Sequence, residues 1–360
     1  MSGAHPYERL TPDVILAAVE SLGPACDGRL QALNSYENRV YQIGIEDSGF
    51  VVAKFYRPER WSDAAIMEEH AFVAELAAAE IPAVAPLAFA GRTLNEHGGF
   101  RFAVYPRQGG RPPEFDDPAT LEWMGRLMGR IHAVGRRSPF SARPTLDIAG
   151  FGQEPRDYLL GHAFLPPELE PAWRAIADQA LDAVRRSFDR AGDVRHLRLH
   201  GDCHAGNVLW TDAGPHEKHA GPSQVFLGPL GGEHRFMAFE ERHEAVFSGG
   251  PHFVDFDDSR MGPAVQDMWM LFSGDAEAMA QQRERFLAGY GQFMDFDRRE
   301  LYLIEALRTL RLLHYSAWIA RRWDDPAFPT AFPWFNSQRY WQDRILELRE
   351  QVGLMQEDPL

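Results

Sequence analysis

A segment near the middle of the chain, LRLHGDCHAGNVLW at residues 197–210, contains the residues best suited to do chemistry. Asp202 and Asn207 lie five residues apart on a polar loop between two short apolar segments with strand character. On a loop, this spacing lets one side chain face an incoming hydroxyl group while the other turns toward a metal-bound phosphate, as phosphoryl transfer requires. The pattern predicts Asp202 as a catalytic residue and Asn207 as a metal ligand.

The alternative interpretation of this loop is a β-turn in which Asp202 and Asn207 only cap backbone amides. The neighbouring histidines and glycines complete the pattern H-G-D-x-H-x-G-N, which favours the catalytic interpretation. Asp267, further along the chain, is predicted to be structural and to brace the loop.

A second acidic segment, HFVDFDDSRMGP at residues 252–263, places Asp255 at the end of a short apolar strand candidate. Mg²⁺ prefers oxygen ligands and is held in ATP-using enzymes by one or two protein side chains together with phosphate oxygens. Asn207 and Asp255 are sufficient for such a site, and Asp257 and Asp258 are further candidates. The alternative is a solvated strand end or a helix cap.

Lys54 lies in the otherwise apolar segment FVVAKFY, at residues 50–56, where an unpaired ammonium group would be costly to bury. The helix predicted at 63–80 offers Glu68 and Glu69 as partners, and a Lys–Glu pair positions the α- and β-phosphates of ATP in kinases. Glu69 is the predicted partner because it fits the buried stripe of that helix. The alternative is that the lysine extends to solvent at a strand edge.

The turn between the first two predicted strands, LNSYENRVY at residues 33–41, contains no glycine. Kinases usually cover ATP with a glycine-rich turn, so here Asn34, Ser35 and backbone amides would approach the phosphates instead. Ser35 is the predicted ATP contact, and a plain hairpin turn is the alternative. At residues 102–108, exposed backbone at the end of a strand could hydrogen-bond adenine.

The order of predicted elements indicates two lobes. The small lobe, residues 1–105, opens with a helix at 12–22 and contains one inserted helix at 63–80 and antiparallel strands at 29–33, 39–45, 50–56, 87–90 and 100–105. The glycine- and proline-rich residues 106–116 read as a hinge. The remaining lobe, 117–360, is mainly helical, with helices predicted at 118–134, 154–162, 168–191, 264–273, 277–294, 298–323 and 338–353 and short strands near 197–210 and 252–256. The predicted class is therefore a two-lobed α+β fold.

Residues 211–252 fit neither lobe, because they are rich in glycine, proline and histidine with few apolar residues. We interpret them as a long insertion in the helical lobe.

The composition and the net charge limit the classes of partner that the protein can bind. The chain has 360 residues, a hydrophobic share of 45% and a net charge of −15, a field that repels nucleic acid and anionic membranes. The only cysteines, Cys26 and Cys203, are far apart and suggest neither a disulfide framework nor a zinc site. The N-terminal residues lack the apolar core of an export signal. We therefore expect a cytoplasmic protein that binds neither nucleic acid nor membrane.

The segments HGDCHAGN at 200–207 and VDFDD at 254–258 resemble the signatures of the aminoglycoside phosphotransferase and choline-kinase-like superfamily. Longer blocks, among them VVAKFYRPERW, FVDFDDSRMGPAVQDMWML and RRWDDPAFPTAFPWF, resemble more narrowly the bacterial serine/threonine protein kinases of that superfamily that act in stress responses. The match runs from about residue 8 to 357 without the insertion at 211–252. It implies a protein-kinase-like fold.

By this resemblance, Asp202 corresponds to the proton acceptor, Asn207 and Asp255 to the Mg²⁺ ligands, and Ser35 to a residue of the ATP site. Asp255 also counts among the catalytic residues of the family. The family further implies a monomeric cytoplasmic kinase that phosphorylates serine or threonine in proteins and in itself. Two alternatives stay open: a kinase for a small amino alcohol or aminoglycoside, and a nucleotide-binding regulator without turnover.

Overall fold

The computed structural model describes residues 6–115, 117–211 and 250–357. This part of the chain forms two units. The first unit contains the described residues of Met1–Glu114 and His204–Asp257, and the second contains those of Phe115–Cys203 and Asp258–Leu360. Most of the predicted insertion, residues 212–249, lies outside the described residues. The lobe boundaries at 105 and 117 stay a prediction.

The first unit is built on an antiparallel sheet of five strands in the order β1-β2-β3-β5-β4. The strands are β1 Cys26–Ala32, β2 Arg39–Ile45, β3 Gly49–Phe55, β4 Asn95–His97 and β5 Phe100–Pro106. The central strand β3 alternates toward the core through Val51, Ala53 and Phe55, which are all buried. Phe55 stacks on Phe102 of β5 with ring centroids 5.3 Å apart, so aromatic packing joins the middle of the sheet.

The fourth strand is not where the sequence places it. The prediction of a strand at 87–90 is wrong, and the sheet instead uses Asn95–His97. A tight turn through Gly91, at φ +77°, folds the chain so that Phe89 and Arg92 form an isolated bridge. The apolar residues at 87–90 therefore pack in the core of the first unit and do not form a strand of the sheet.

Two helices complete the first unit. Helix α1, Pro12–Glu20, begins after Thr11, whose side chain accepts a hydrogen bond from the Val14 amide. Helix α2, Asp63–Ala78, begins after Ser62 in the same way and turns its buried face, which includes Glu69, toward the interior. This helix is the element predicted at 63–80, and it positions the carboxylate that the lysine on β3 needs.

Short antiparallel pairs frame the two polar segments. Strand β6, His196–Leu199, pairs with β9, Arg260–Pro263, within the second unit. Strand β7, Val208–Thr211, pairs with β8, Gly250–Phe253, within the first unit. Each polar segment therefore begins or ends on a strand, as expected for residues 197–210 and 252–256.

The second unit is mainly helical. Its helices are α3 Pro118–Gly135, α4 Glu154–Gly161, α5 Glu170–Ala191, α6 Ala276–Tyr290, α7 Ile304–Ala320, α8 Ala327–Ala331 and α9 Gln338–Leu354. Helices α5 and α9 meet through Trp173 and Trp341, both fully buried, whose rings pack edge to face 6.0 Å apart. This apolar core fixes the helices that carry the polar residues described below.

The predicted helix at 264–273 is wrong. The segment forms two short 3₁₀ turns, Ala264–Asp267 and Trp269–Leu271, because its polar side chains Gln266 and Asp267 are buried and bond to a neighbouring loop. The helix predicted at 298–323 likewise begins as a 3₁₀ turn, Arg298–Leu303, before α7.

The α+β class is confirmed: an antiparallel sheet precedes a mostly helical remainder. Among the described residues, no helix combines the length and the apolar character needed to cross a membrane.

Candidate active site

Lys54 lies at the centre of a cluster of carboxylates in the first unit. Its Nζ is 2.9 Å from Asp255 Oδ1, 3.3 Å from Asp257 Oδ1 and 3.8 Å from Glu69 Oε1. The lysine is only 5% exposed. The structure therefore brings together Lys54, Glu69 and Asp255, and of the two candidate glutamates it is Glu69 that pairs with the lysine.

Burial disfavours the charged form of Lys54, but the three carboxylates outweigh burial and raise the pKa of Lys54 well above its ordinary value. The side chain is thus an ammonium ion at neutral pH. It also lies 5.3 Å from the centre of the Tyr56 ring, a cation–π contact that favours the charge.

The two aspartates of this cluster differ in exposure. The Asp255 side chain is 53% exposed, whereas that of Asp257 is 4% exposed. Asp255 has a left-handed backbone at φ +59°, a conformation that costs free energy in a non-glycine residue and often marks functional positions. Phe256 between them packs edge to face on Phe72 of α2 and anchors the turn. Asp255 therefore offers an accessible carboxylate on a fixed backbone.

Asn207 adjoins Asp255 through the backbone. It ends the 3₁₀ turn Ala205–Asn207, and its carbonyl oxygen accepts a hydrogen bond of 3.0 Å from the Val254 amide. In the ladder that follows, Val208 lies opposite Phe253. The two predicted metal ligands therefore lie on neighbouring backbone segments.

This donor set fits Mg²⁺ bound together with phosphate oxygens. Asn207 and Asp255 provide amide and carboxylate oxygens, the hard ligands that this ion prefers. Within 6–115, 117–211 and 250–357, no three or more His, Cys, Asp and Glu side chains are grouped to hold a metal by themselves. A site of one or two protein ligands is the arrangement that leaves coordination positions for a nucleotide.

Ser35, the predicted ATP contact, lies in the turn before β2 and forms a hydrogen bond within it. Its hydroxyl group donates to the Asn38 carbonyl oxygen at 3.0 Å, and the Asn38 side chain accepts from the Arg57 amide at 3.1 Å. The serine thus holds the glycine-free turn in shape. A contact between Ser35 and ATP stays a prediction.

A buried charge network that the sequence analysis missed joins this turn to the lysine cluster. Glu37 of the turn lies 3.7 Å from Arg57 Nε and 3.9 Å from Arg60 Nε, measured at Glu37 Oε1. Arg60 also forms an ion pair with Asp257. The only signal was the pair of arginines in FYRPER directly after β3, which pattern reasoning could not distinguish from surface charge.

Asp202 belongs to the second unit, where its Oδ1 forms an ion pair of 2.6 Å with Arg311 Nη1 of α7. Both side chains are partly exposed, 23% for Asp202 and 40% for Arg311. The partner was not predicted, because Arg311 is distant in sequence and lies in an ordinary amphipathic helix.

The loop that carries Asp202 is braced by Asp267, as predicted. The Asp267 carboxylate accepts hydrogen bonds from the amides of His200 at 2.7 Å and Gly201 at 2.8 Å, and it lies 3.2 Å from His132 Nε2. Gly201 has a φ of +89°, and a Cβ there would collide with the Asp258 carbonyl oxygen. Glycine is therefore required at this position of the loop.

A buried lysine paired to a helix glutamate and to an aspartate at a strand end, in a chain that also carries the Asp-x-x-x-x-Asn loop, defines a phosphotransferase of the kinase-like fold. The model of the Phosphotransferase enzyme family, abbreviated APH, matches residues 29–217 and 244–304. This chain belongs to that family and is a kinase.

Named relatives of high similarity cover almost the whole chain. Stress response kinase A of Salmonella choleraesuis strain SC-B67 is 41% identical over 357 residues, 99% of this chain and 97% of its own length. The serine/threonine protein kinase RdoA of Salmonella typhimurium strain LT2 has the same identity and coverage. Stress response kinase A of Escherichia coli K12 is 41% identical over 359 residues, 100% of this chain and 98% of its own. The resemblance to stress-response kinases is thereby confirmed.

Solved structures with the same fold include the amicoumacin kinase hAmiN, in complex with AMP-PNP, Ca²⁺ and Ami, at a TM-score of 0.67. It is 17% identical, with 96% of this chain and 94% of that chain covered. The microcompartment-associated aminopropanol kinase has a TM-score of 0.62 and 17% identity, with 96% and 97% covered. At this identity the likeness concerns the fold alone.

Proposed function

We propose that this protein transfers the γ-phosphoryl group of ATP, with Mg²⁺, to serine or threonine hydroxyl groups of proteins and of itself in a stress response. The observation that carries the proposal is the buried ammonium group of Lys54, held by Glu69 and close to the accessible carboxylate of Asp255. The names of relatives that are 41% identical over the full length support the choice of protein acceptors.

In this proposal Asn207 and Asp255 hold the metal ion, and Lys54 with Glu69 positions the phosphates. When bound, the ion neutralises charge on the phosphates. With Asp255 as a metal ligand, Glu69 and Asp257 would remain the carboxylate neighbours that support the positive charge of Lys54. Ser35 contacts ATP from the turn that its hydroxyl group also stabilises.

Asp202 orients the acceptor hydroxyl group and accepts its proton late in the transfer, because the transition state is loose and catalysis comes mostly from positioning. Arg311 fixes the direction of that carboxylate through the ion pair at 2.6 Å.

The test is a phosphotransfer assay with γ-labelled ATP in a cell lysate, with the Asp202→Ala chain as the background control. We expect label in proteins at serine or threonine, including the kinase itself, only with the wild-type chain and only with Mg²⁺. Label confined to small molecules would contradict the choice of acceptor, and no label in any fraction would contradict catalysis.

The second candidate is a kinase for a small cationic acceptor, such as an amino alcohol or aminoglycoside. It is favoured by the net charge of −15, which attracts cations. The same assay separates the two candidates by the fraction that carries the label.

We also propose that the kinase works as a cytoplasmic monomer. Both cysteines, Cys26 and Cys203, are free thiols, which suits a reducing compartment. Size-exclusion chromatography with light scattering tests the monomer, and cell fractionation tests the location.

A further inference from the structure

The second unit contains a cavity of about 310 Å³ at the ends of α5 and α9 and beside α6 and α7. This volume lies at the lower end of the roughly 300–1,000 Å³ typical of small-molecule sites. None of the residues assigned above to ATP, metal or catalysis lines it. The cavity is therefore a separate feature that the proposed function does not use.

The walls of the cavity are largely apolar. Aromatic rings come from Trp269, Phe272 and Tyr302, and Met279 and Leu301 add aliphatic surface. Such a lining suits a small ligand with a planar apolar body, because aromatic faces stack on planar groups.

The charged residues of the lining have a net positive charge, with three arginines against two glutamates, Glu305 and Glu357. Arg308 is paired with Glu305 at 3.2 Å. Arg190 lies over the Tyr302 ring at 4.2 Å. On a protein with a net charge of −15, this positive lining is a local exception.

The third arginine, Arg283, is only weakly neutralised. Its Nε is buried and makes no hydrogen bond within the described part of the chain, and its ion pair with Glu284 is long, at 3.7 Å. The Glu284 side chain is 51% exposed and lies closer to Arg298, at 2.9 Å, so Arg283 has only a share of its charge. A hydrogen bond from the Arg283 guanidinium group to a ligand carboxylate would be charge-assisted and therefore strong.

We propose that this cavity binds a small organic monoanion with a planar apolar body, whose carboxylate pairs with Arg283 while its body packs on Trp269.

The cavity is joined to the loop of Asp202 through hydrogen bonds within the second unit. Trp269 Nε1 donates to Gln266 Oε1 at 3.3 Å, and Gln266 Nε2 donates to the Gly201 carbonyl oxygen at 3.1 Å. Gln266 is buried. A ligand that packs on Trp269 therefore acts on the residue directly before Asp202, and this regulatory part of the inference rests on the proposed function.

Binding is tested with phenylbutyrate as the anionic probe and phenylbutanol as the uncharged one, by isothermal titration calorimetry on the full chain. We expect saturable binding of phenylbutyrate at least about tenfold tighter than that of phenylbutanol, since a hydrogen bond to a charged group is involved. Absence of saturable binding overturns the site. Equal affinity of the two probes overturns the role of the charge.

Two variants locate the site on α6. Arg283→Gln should weaken phenylbutyrate by about tenfold or more, whereas Arg285→Gln on the exposed side of the same helix should not. Ala280→Trp fills the cavity and should abolish binding, whereas Ala288→Trp at an exposed position should not. Wild-type affinity in Arg283→Gln and in a folded Ala280→Trp chain places the ligand elsewhere and overturns the proposal.

The regulatory part is tested by the phosphotransfer rate with and without phenylbutyrate. We expect a change of about fivefold or more in the wild-type chain and none in Arg283→Gln, as typical coupling free energies imply. Binding with an unchanged rate overturns the coupling but not the site. A wild-type chain that transfers no phosphate under any condition contradicts the proposed function, and the calorimetry still decides on the cavity.

Discussion

The two residues with the clearest predicted roles, Lys54 and Asp202, are held in opposite ways. Lys54 is buried among three carboxylates, two of which are themselves buried, and no single partner determines its charge. Asp202 is partly exposed and forms an ion pair of 2.6 Å with Arg311. Its loop is held by backbone hydrogen bonds to Asp267.

The difference predicts that the charge of Lys54 matters for stability, whereas the position of the Asp202 carboxylate matters for catalysis. Around Lys54, removing the ammonium group takes a close cation away from two buried carboxylates, so the free energy of unfolding should fall. Around Asp202, the ion pair is accessible to water and contributes little to stability, while the braced backbone sets the position of the carboxylate. Substitutions at the two residues should therefore divide between stability and catalysis.

The largest effect is expected from Asp202→Ala. The loss of the group that orients the acceptor and takes its proton should lower kcat by about 10²–10⁴-fold. ATP affinity and thermal unfolding should remain near wild type, because the side chain is partly exposed and the loop is braced elsewhere. Steady-state kinetics with ATP titration measure both, and Asp189→Ala, an exposed aspartate of the same unit, is the control. Wild-type kcat in Asp202→Ala would refute the assignment.

Lys54→Met should act on stability as well as on catalysis. The variant leaves the buried carboxylates of Glu69 and Asp257 without the cation, and breaking a buried pair in this way costs about 3–5 kcal/mol. Chemical denaturation measures the free energy of unfolding. Arg101→Met on β5, which removes a partly exposed pair with Asp63 of α2, should cost less than about 1 kcal/mol. Equal costs for the two variants would contradict the distinction drawn above.

His314 in the second unit contrasts with Lys54, because it is buried in its neutral form. The ring of His314 on α7 stacks on Phe151 with centroids 4.3 Å apart. Burial, with the neighbouring Arg260, lowers the pKa of His314 to about 3. Below the ordinary histidine pKa of about 6.5 the unfolded chain binds a proton that the folded chain rejects, so stability falls as pH drops toward 3.

Replacing His314 by phenylalanine keeps the stacking and removes this titration. Between pH 7 and 5, the wild type should lose at most about 2 kcal/mol of unfolding free energy relative to His314→Phe. Urea unfolding at both pH values measures the difference. His162→Phe, at an exposed position of the same unit, should keep the wild-type dependence. A constant difference between wild type and His314→Phe at the two pH values would contradict the neutral histidine.

Local sequence patterns were sufficient for the elements that carry the site. The pairing of Lys54 could be predicted because a charge in an apolar strand requires a partner. The spacing of the apolar residues in the following helix placed Glu69 on its buried face. Asp202 and Asn207 were predicted from their spacing on a loop bounded by strands, and their roles stay a prediction.

The missed features depend on contacts that sequence spacing does not encode. Glu37 and Arg60 read as surface charges, yet both are buried in one network with Asp257. The segment 264–273 has a helical pattern, but it forms 3₁₀ turns in which the Asp267 carboxylate accepts hydrogen bonds from the amides of His200 and Gly201, far away in sequence. Tertiary hydrogen bonds override local propensity at these positions.

The smallest effect on stability is expected from Arg311→Ala. Its ion pair with Asp202 joins two partly exposed side chains, so its loss should cost less than about 1 kcal/mol. Arg174→Ala breaks a comparably exposed pair with Glu170 at 2.6 Å and should cost about as little. Only Arg311→Ala should also slow phosphotransfer, because only that arginine fixes the direction of the Asp202 carboxylate. Chemical denaturation and steady-state kinetics of both variants test this prediction. Equal kinetics in the two variants would mean that Arg311 has no role in catalysis. A large loss of stability in Arg311→Ala alone would mean that its ion pair is structural.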